Sequence, residues 1–223
     1  MKKLFYMEWA YVLGIVLLAM GTALMEKADF GMSMVVAPAY LLYLKLSARF
    51  AFVTFGMMEY MLQALLLVIL AVALRKFKLS YLFSFVTAVV YGFTLDGCMA
   101  LAGLIPGNGM VARVAFYVLG MLLCSGGVAF FFHTYIAPEA YELIVKELSG
   151  AWGVGIGRFK TIYDLTSCLV SIIMSFAFFG LWHFEGVKLG TVFCALVNGA
   201  IIGRMSADMD KRWDFRRGIK KSK

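Results

Sequence analysis

Charge is scarce in this chain. Asp, Glu, Lys and Arg supply 15% of its 223 residues, against about 25% in a soluble domain. Hydrophobic residues make up 63%, where about 45–50% is usual. That balance excludes an ordinary water-soluble fold. Proline is scarce as well, with 3 residues, so stiff proline-rich linkers are excluded. Histidine occurs 2 times and cysteine 4 times. Cys98, Cys124, Cys168 and Cys194 stand singly in apolar runs. Their spacing fits neither a redox pair nor a metal site, and a lone thiol in such a run behaves as a small hydrophobe. No metal or cofactor is therefore expected. Catalytic signatures are missing too: no Gly-x-Ser-x-Gly, Walker or zinc-protease pattern occurs. Trp152-Gly-Val-Gly155-Ile-Gly157 imitates a dinucleotide loop but lacks the preceding strand and the downstream acid. The chain is not expected to be an enzyme.

What the chain has instead is long apolar runs. A membrane-spanning helix needs roughly 20 apolar residues. Six runs qualify, at about 8–27, 50–74, 79–103, 111–133, 160–183 and 187–206. They imply an all-α polytopic membrane protein. Met1-Lys-Lys ahead of the first run resembles a signal peptide. Glu8 interrupts the run and no small-residue cleavage site follows, so it is expected to be retained as a span.

The net charge is +8. Most of it lies between apolar runs and in the tail from Lys211 to Lys223. With both termini in the cytoplasm, all but five of the 21 Lys and Arg residues fall inside; Lys27, Lys45, Arg49, Arg113 and Lys188 fall outside. This split follows the positive-inside rule and places the protein in the cytoplasmic membrane. The basic tail is expected to meet anionic lipid rather than nucleic acid.

One stretch occurs twice. Tyr11-Val-Leu-Gly14 and Gly21 return as Tyr117-Val-Leu-Gly120 and Gly127, an offset of 106 residues. Each copy opens a triplet of apolar runs. Residues 1–106 and 107–208 therefore read as two three-helix repeats, with 209–223 as a basic tail. Three is odd, so the second repeat must cross in the opposite sense. Inverted repeats are a recurrent transporter plan, with the site near the midplane between them.

The connections 28–49 and 134–159 occupy the same place in each half. Met34-Val-Val-Ala-Pro38-Ala-Tyr-Leu-Leu-Tyr-Leu and Ala140-Tyr-Glu-Leu-Ile-Val are too apolar for water and too short to span. Each suits a re-entrant or interfacial half-helix. Ser33 is expected as an N-cap and Pro138 as a first helical residue, with Glu139 and Glu142 in the first turn.

Charges inside spans are costly, by about 2.5–3.5 kcal/mol each on insertion scales. Glu59 and Asp164 stand out, at nearly the repeat offset. Glu59 and Gln63 share a helix face, and so do Lys160, Asp164, Ser167, Ser171 and Ser175. These two stripes are candidates for a proton, cation or substrate lining. Asn198, Glu142 and Asp29 complete the candidate set. The bland alternative is that Lys160 pairs with Asp164 near the interface while Glu59 reaches for water. Asp96 reads as interfacial, and His133 and His183 as helix ends. Ser80, Ser84, Ala88 and Gly92 line one helix face, and Gly199-Ala-Ile-Ile-Gly203 marks a close helix contact.

Together these pieces resemble the YczE/YyaS/YitT family of small bacterial integral membrane proteins. Its Gly-x-Ala-Leu…Ala-x-x-Gly-x-Ser element is matched by Gly21-Thr-Ala-Leu24 and Ala28-Asp-Phe-Gly31-Met-Ser33. A Pro-aromatic-acid element is similar to Pro138-Glu-Ala-Tyr141-Glu142, and a closing glycine-rich element to Gly180, Gly186, Gly190 and Thr191. Met34-Val35 and Ser84-Phe85 depart from the family pattern. The resemblance covers about residues 9–206 and implies architecture more than activity. The expected function is a small secondary transporter for a small solute, coupled to protons or another cation. A non-transporting membrane accessory and the substrate-capture subunit of a vitamin importer are the alternatives. A homo-oligomer is compatible with either.

Overall fold

The computed structural model describes residues 2–31, 33–53, 55–107, 109–181 and 187–218. Among them are six helices long and apolar enough to cross a membrane: α1 (Met7–Ala28), α3 (Phe55–Leu74), α4 (Phe83–Leu104), α5 (Met110–Phe132), α7 (Ile156–Phe179) and α8 (Leu189–Arg212). The chain is an all-α, multi-pass membrane protein. Two shorter helices, α2 (Ala37–Ser47) and α6 (Ala140–Trp152), occupy the long connections. A strand pair, β1 (Lys3–Tyr6) and β2 (Trp213–Arg216), joins the two ends in parallel.

Glycine sets the centre of the bundle. A Cβ on Gly21 would stand 2.6 Å from the Gly120 carbonyl oxygen, and one on Gly14 would stand 3.2 Å from that of Gly127. Only hydrogen at these positions lets the α1 and α5 backbones touch. Gly14 meets Gly127 while Gly21 meets Gly120, so the two helices run antiparallel. α7 and α8 close in the same way. A Cβ on Gly157 would stand 2.7 Å from the Gly199 carbonyl oxygen and 2.9 Å from Gly203 Cα. α3 and α4 have no such seam and barely touch each other.

The bundle has two faces. At one, Tyr135 hydroxyl donates to Glu8, and His133 Nε2 lies 3.1 Å from Asp210. The paired segments Lys3–Tyr6 and Trp213–Arg216 are therefore both on this terminal face. At the other, Asp29 meets Arg113 and Lys188, and Lys27 Nζ donates to Ala102 and Ile105 carbonyls at the end of α4.

The short helices return to the face from which their chain entered. After α5 the chain turns inward: Thr87, one turn into α4, donates to the Ala137 carbonyl at 2.6 Å. α6 then starts inside and runs back out, where Lys78 and Tyr81 reach Glu147. Lys146 folds back onto the carbonyls of Phe131 and Thr134, the open C-terminal end of α5. On the other side, Ser167 in mid-α7 donates to the Met34 carbonyl at 2.7 Å. α2 starts there and runs outward until Lys45 reaches the Phe178 carbonyl at 2.9 Å. Met34, Val35, Ala37 and Tyr141 share one buried cluster with Met121, Cys168 and Cys194. The two half-helix starts thus meet inside the bundle, from opposite faces.

Several local expectations are corrected. α7 spans Ile156–Phe179 rather than 160–183, because Arg158 and Lys160 belong to the helix body. α3 starts at Phe55 rather than near 50, and α4 at Phe83 after a 3₁₀ turn, Leu79–Leu82. Ser33 is not the α2 cap. Its carbonyl accepts from the amides of Val36 and Ala37, and the cap is Val36. Pro138 precedes the α6 cap, which is Glu139. At the start of the tail, Trp213 and Phe215 close over Phe5 and Phe130, with ring centroids 5.1–5.8 Å apart.

Candidate functional site

The polar residues of the bundle gather where the half-helices meet. Glu59 and Gln63 lie one turn apart on α3, and Gln63 Nε2 donates to Glu59 Oε1 at 3.5 Å. The α6 start contributes Glu139, Tyr141 and Glu142, all buried. Tyr141 hydroxyl donates to the same Glu59 oxygen at 2.7 Å, tying α6 to α3. From α7 come Lys160 and Asp164, 2% and 0% exposed. Lys160 Nζ stands 2.7 Å from Asp164 Oδ1 and 3.9 Å from Glu142 Oε1. From α8, Asn198 accepts from Ser125 of α5 at 2.6 Å and lies beside Asp164.

Five helices therefore enclose one seam. Among the described residues it holds four carboxylates, Glu59, Glu139, Glu142 and Asp164, against one ammonium, Lys160. Buried ions need pairing and several hydrogen bonds each. Here that requirement is not met. Glu59 Oε2, Gln63 Oε1, Glu139 Oε1 and Glu142 Oε2 are buried without a hydrogen-bond partner. Asp164 touches Lys160, yet neither of its oxygens gains a well-directed hydrogen bond. The positive end of the α6 dipole offsets part of the negative charge. The remainder calls for protons, ordered water or a bound cation.

Of the sequence candidates, Glu59, Gln63, Glu142, Lys160, Asp164 and Asn198 converge here. Asp29 does not. It is the C-cap of α1 on the far face, with Lys188 at 2.6 Å and Arg113 at 3.2 Å. The hydrogen bond from Lys188, and then its charge, hold the Asp29 carboxyl below the usual range. The Ser stripe of α7 does not form an open lining either: Ser171 bonds back to the Ser167 carbonyl, and Ser167 serves Met34. Asp96 lies within α4 and is exposed. Ser84 and Ala88 are buried, whereas a Cβ on Gly92 would meet nothing. His133 belongs to the terminal face, and His183 lies outside the described residues.

Glu139 and Tyr141 entered the sequence reading only as parts of the half-helix start. The usable signal was two acids and a tyrosine in a connection otherwise too apolar for water. A cleft of about 410 Å³ opens at the terminal face between His133, Asp210, Trp213 and Phe215. It does not reach the seam.

The family of unknown function DUF6198 matches residues 5–207, which contain every seam residue. The chain belongs to the DUF6198 family. No curated protein and no solved structure gives a significant match.

Proposed function

We propose that this DUF6198 protein is a small secondary permease of the cytoplasmic membrane. It moves a small solute through the acidic seam, coupled to protons or another cation. The observation that carries this reading is the seam itself. An excess of carboxylates is buried in a membrane bundle between two half-helices that enter from opposite faces. Intramembrane ionisable groups of this kind are expensive, and substrate or ion pathways and proton relays are among their uses.

Two further observations support a pair of inverted repeats. The Gly14–Gly127 contact becomes the Gly120–Gly21 contact when each residue is replaced by its counterpart 106 positions away. α1 packs on α4 as α5 packs on α8, and α2 on α7 as α6 on α3. The tight α7–α8 seam has no equivalent between α3 and α4. That break gives the first half a place to open. The kinship with YczE/YyaS/YitT proteins and the cytoplasmic placement of the termini are part of the same reading. They rest on the motif around Gly21 and on the distribution of Lys and Arg.

The test is uptake into sealed proteoliposomes under an imposed pH gradient. Wild type should move protons together with solute. Glu59→Gln and Asp164→Asn should each lose most of that coupled flux. Unchanged flux in both variants would remove these acids from the mechanism.

A further inference from the structure

We infer that the seam takes a small organic cation bearing several N–H donors, such as an alkylguanidinium or a primary ammonium. This rests on the permease reading and names its substrate class.

With its acids ionised, the orphaned groups of the seam are all acceptors. Glu59 Oε2, Gln63 Oε1, Glu139 Oε1 and Glu142 Oε2 each lack a donor. Gln63 is decisive among them, because it carries no charge. It is 2% exposed, spends its amide N–H on Glu59, and leaves its carbonyl oxygen unpaired. A proton on a carboxylate would lower the charge of the seam and supply one donor, but one donor does not serve four orphaned acceptors. A ligand with N–H groups on more than one side answers both needs at once. Leaving a buried acceptor without a donor costs about 1–3 kcal/mol per group, so a ligand that supplies donors there is stabilising.

The charge balance points the same way. Lys160 is committed to Asp164 at 2.7 Å and stands only loosely by Glu142 at 3.9 Å. Glu59 and Glu139 have no cationic neighbour among the described residues. Three carboxylates are thus left for a ligand, on α3 and at the α6 start. No three acidic, Cys or His side chains among the described residues are placed to close on one metal ion. A planar or branched cation spans such dispersed oxygens where a single ion does not. Tyr163, whose ring already lies 5.5 Å from Lys160 Nζ, and Tyr141 add aromatic surface of the kind cations favour.

The roles then divide. Glu139 and Glu142, at a helix start, hold the cation's donors. Gln63 fixes its orientation. Lys160 is the resident counter-charge that Asp164 retains when the cation takes Glu142.

The experiment uses the purified full chain in detergent, with methylguanidinium, tetramethylammonium and potassium chlorides at matched concentrations. Thermal unfolding is followed by intrinsic fluorescence. Methylguanidinium should raise the midpoint by about 3 °C or more and saturate, because a ligand that binds only the folded state stabilises it. Tetramethylammonium has the charge but no donors and should not. Glu139→Gln should lose the response while keeping its helical circular dichroism. If that variant does not fold, Gln63→Leu should show the same loss.

Equal shifts with tetramethylammonium would overturn the donor argument. No shift with any organic cation would overturn the inference outright. Proteoliposome flux separates this from the permease reading. Saturable methylguanidinium binding without accumulation would uphold the ligand class and refute transport. Proton-coupled flux of another solute without methylguanidinium binding would do the reverse.

Discussion

At the scale of the residue, the seam is defined by what each buried group lacks. Among the described residues Lys160 is the one cation beside the four carboxylates, so its removal leaves Asp164 and Glu142 buried and unpaired. Breaking such a pair costs about 3–5 kcal/mol, whereas replacing both partners by apolar groups is often neutral. Lys160→Met should therefore unfold far more readily in denaturant titration, and Lys160→Met with Asp164→Leu should recover much of the loss. Equal destabilisation in both would mean that the pair is not the relevant contact. Asp29 makes a contrasting case. Its carboxyl is fully exposed and held below the usual range by Lys188. A depressed acid contributes above its unfolded value and loses that contribution as pH falls through its folded value. The small stabilisation should be complete at neutral pH and vanish only in acid, and Asp29→Asn should leave solute flux unchanged.

The helix pairs carry the next level of argument. α1 and α5 touch through paired glycines, so any side chain there must separate two backbones. Gly21→Leu or Gly120→Leu should cost at least about 1–3 kcal/mol by overpacking. In practice such variants should fail to elute as a single species in size-exclusion chromatography. Gly92→Leu, on the open face of α4, should elute as wild type. β1 and β2 form a clasp, and its aromatic cluster binds the N-terminus to the end of α8. A chain ending at Arg212 should expose Lys3–Tyr6 to limited proteolysis while keeping methylguanidinium binding. Loss of that binding in the truncated chain would tie the clasp to the seam.

Much of this level was legible in the sequence. Hydropathy identifies six spans because the bilayer demands a length that soluble helices rarely reach with so few charges. The half-helices were legible from segments too apolar for a loop and too short to span. Boundaries fared worse where charge was treated as punctuation. The fifth span was expected to start at about 160, yet α7 begins at Ile156 and carries Lys160 buried within it, where Asp164 and Glu142 receive the ammonium. The β1–β2 clasp left no sequence signal, since four-residue strands in a basic tail carry no periodicity. Glu59, Gln63, Lys160 and Asp164 were visible as costly polar groups in spans. That Glu139 and Tyr141 join them depends on the α6 start pointing inward, which only the folded chain decides.

At the scale of the whole molecule, the account rests on one arrangement: two half-helices reach the same acidic seam from opposite faces. The most direct measurement is labelling by a membrane-impermeant maleimide in sealed vesicles, on a background with the four cysteines replaced. Single cysteines would be placed at Lys45 and Lys188 for one face, and at Lys78, Glu147 and Arg216 for the other. The first two should label only from one side of the membrane, and the last three only from the opposite side. Labelling of Lys45 and Glu147 positions from the same side would contradict the arrangement and with it the seam.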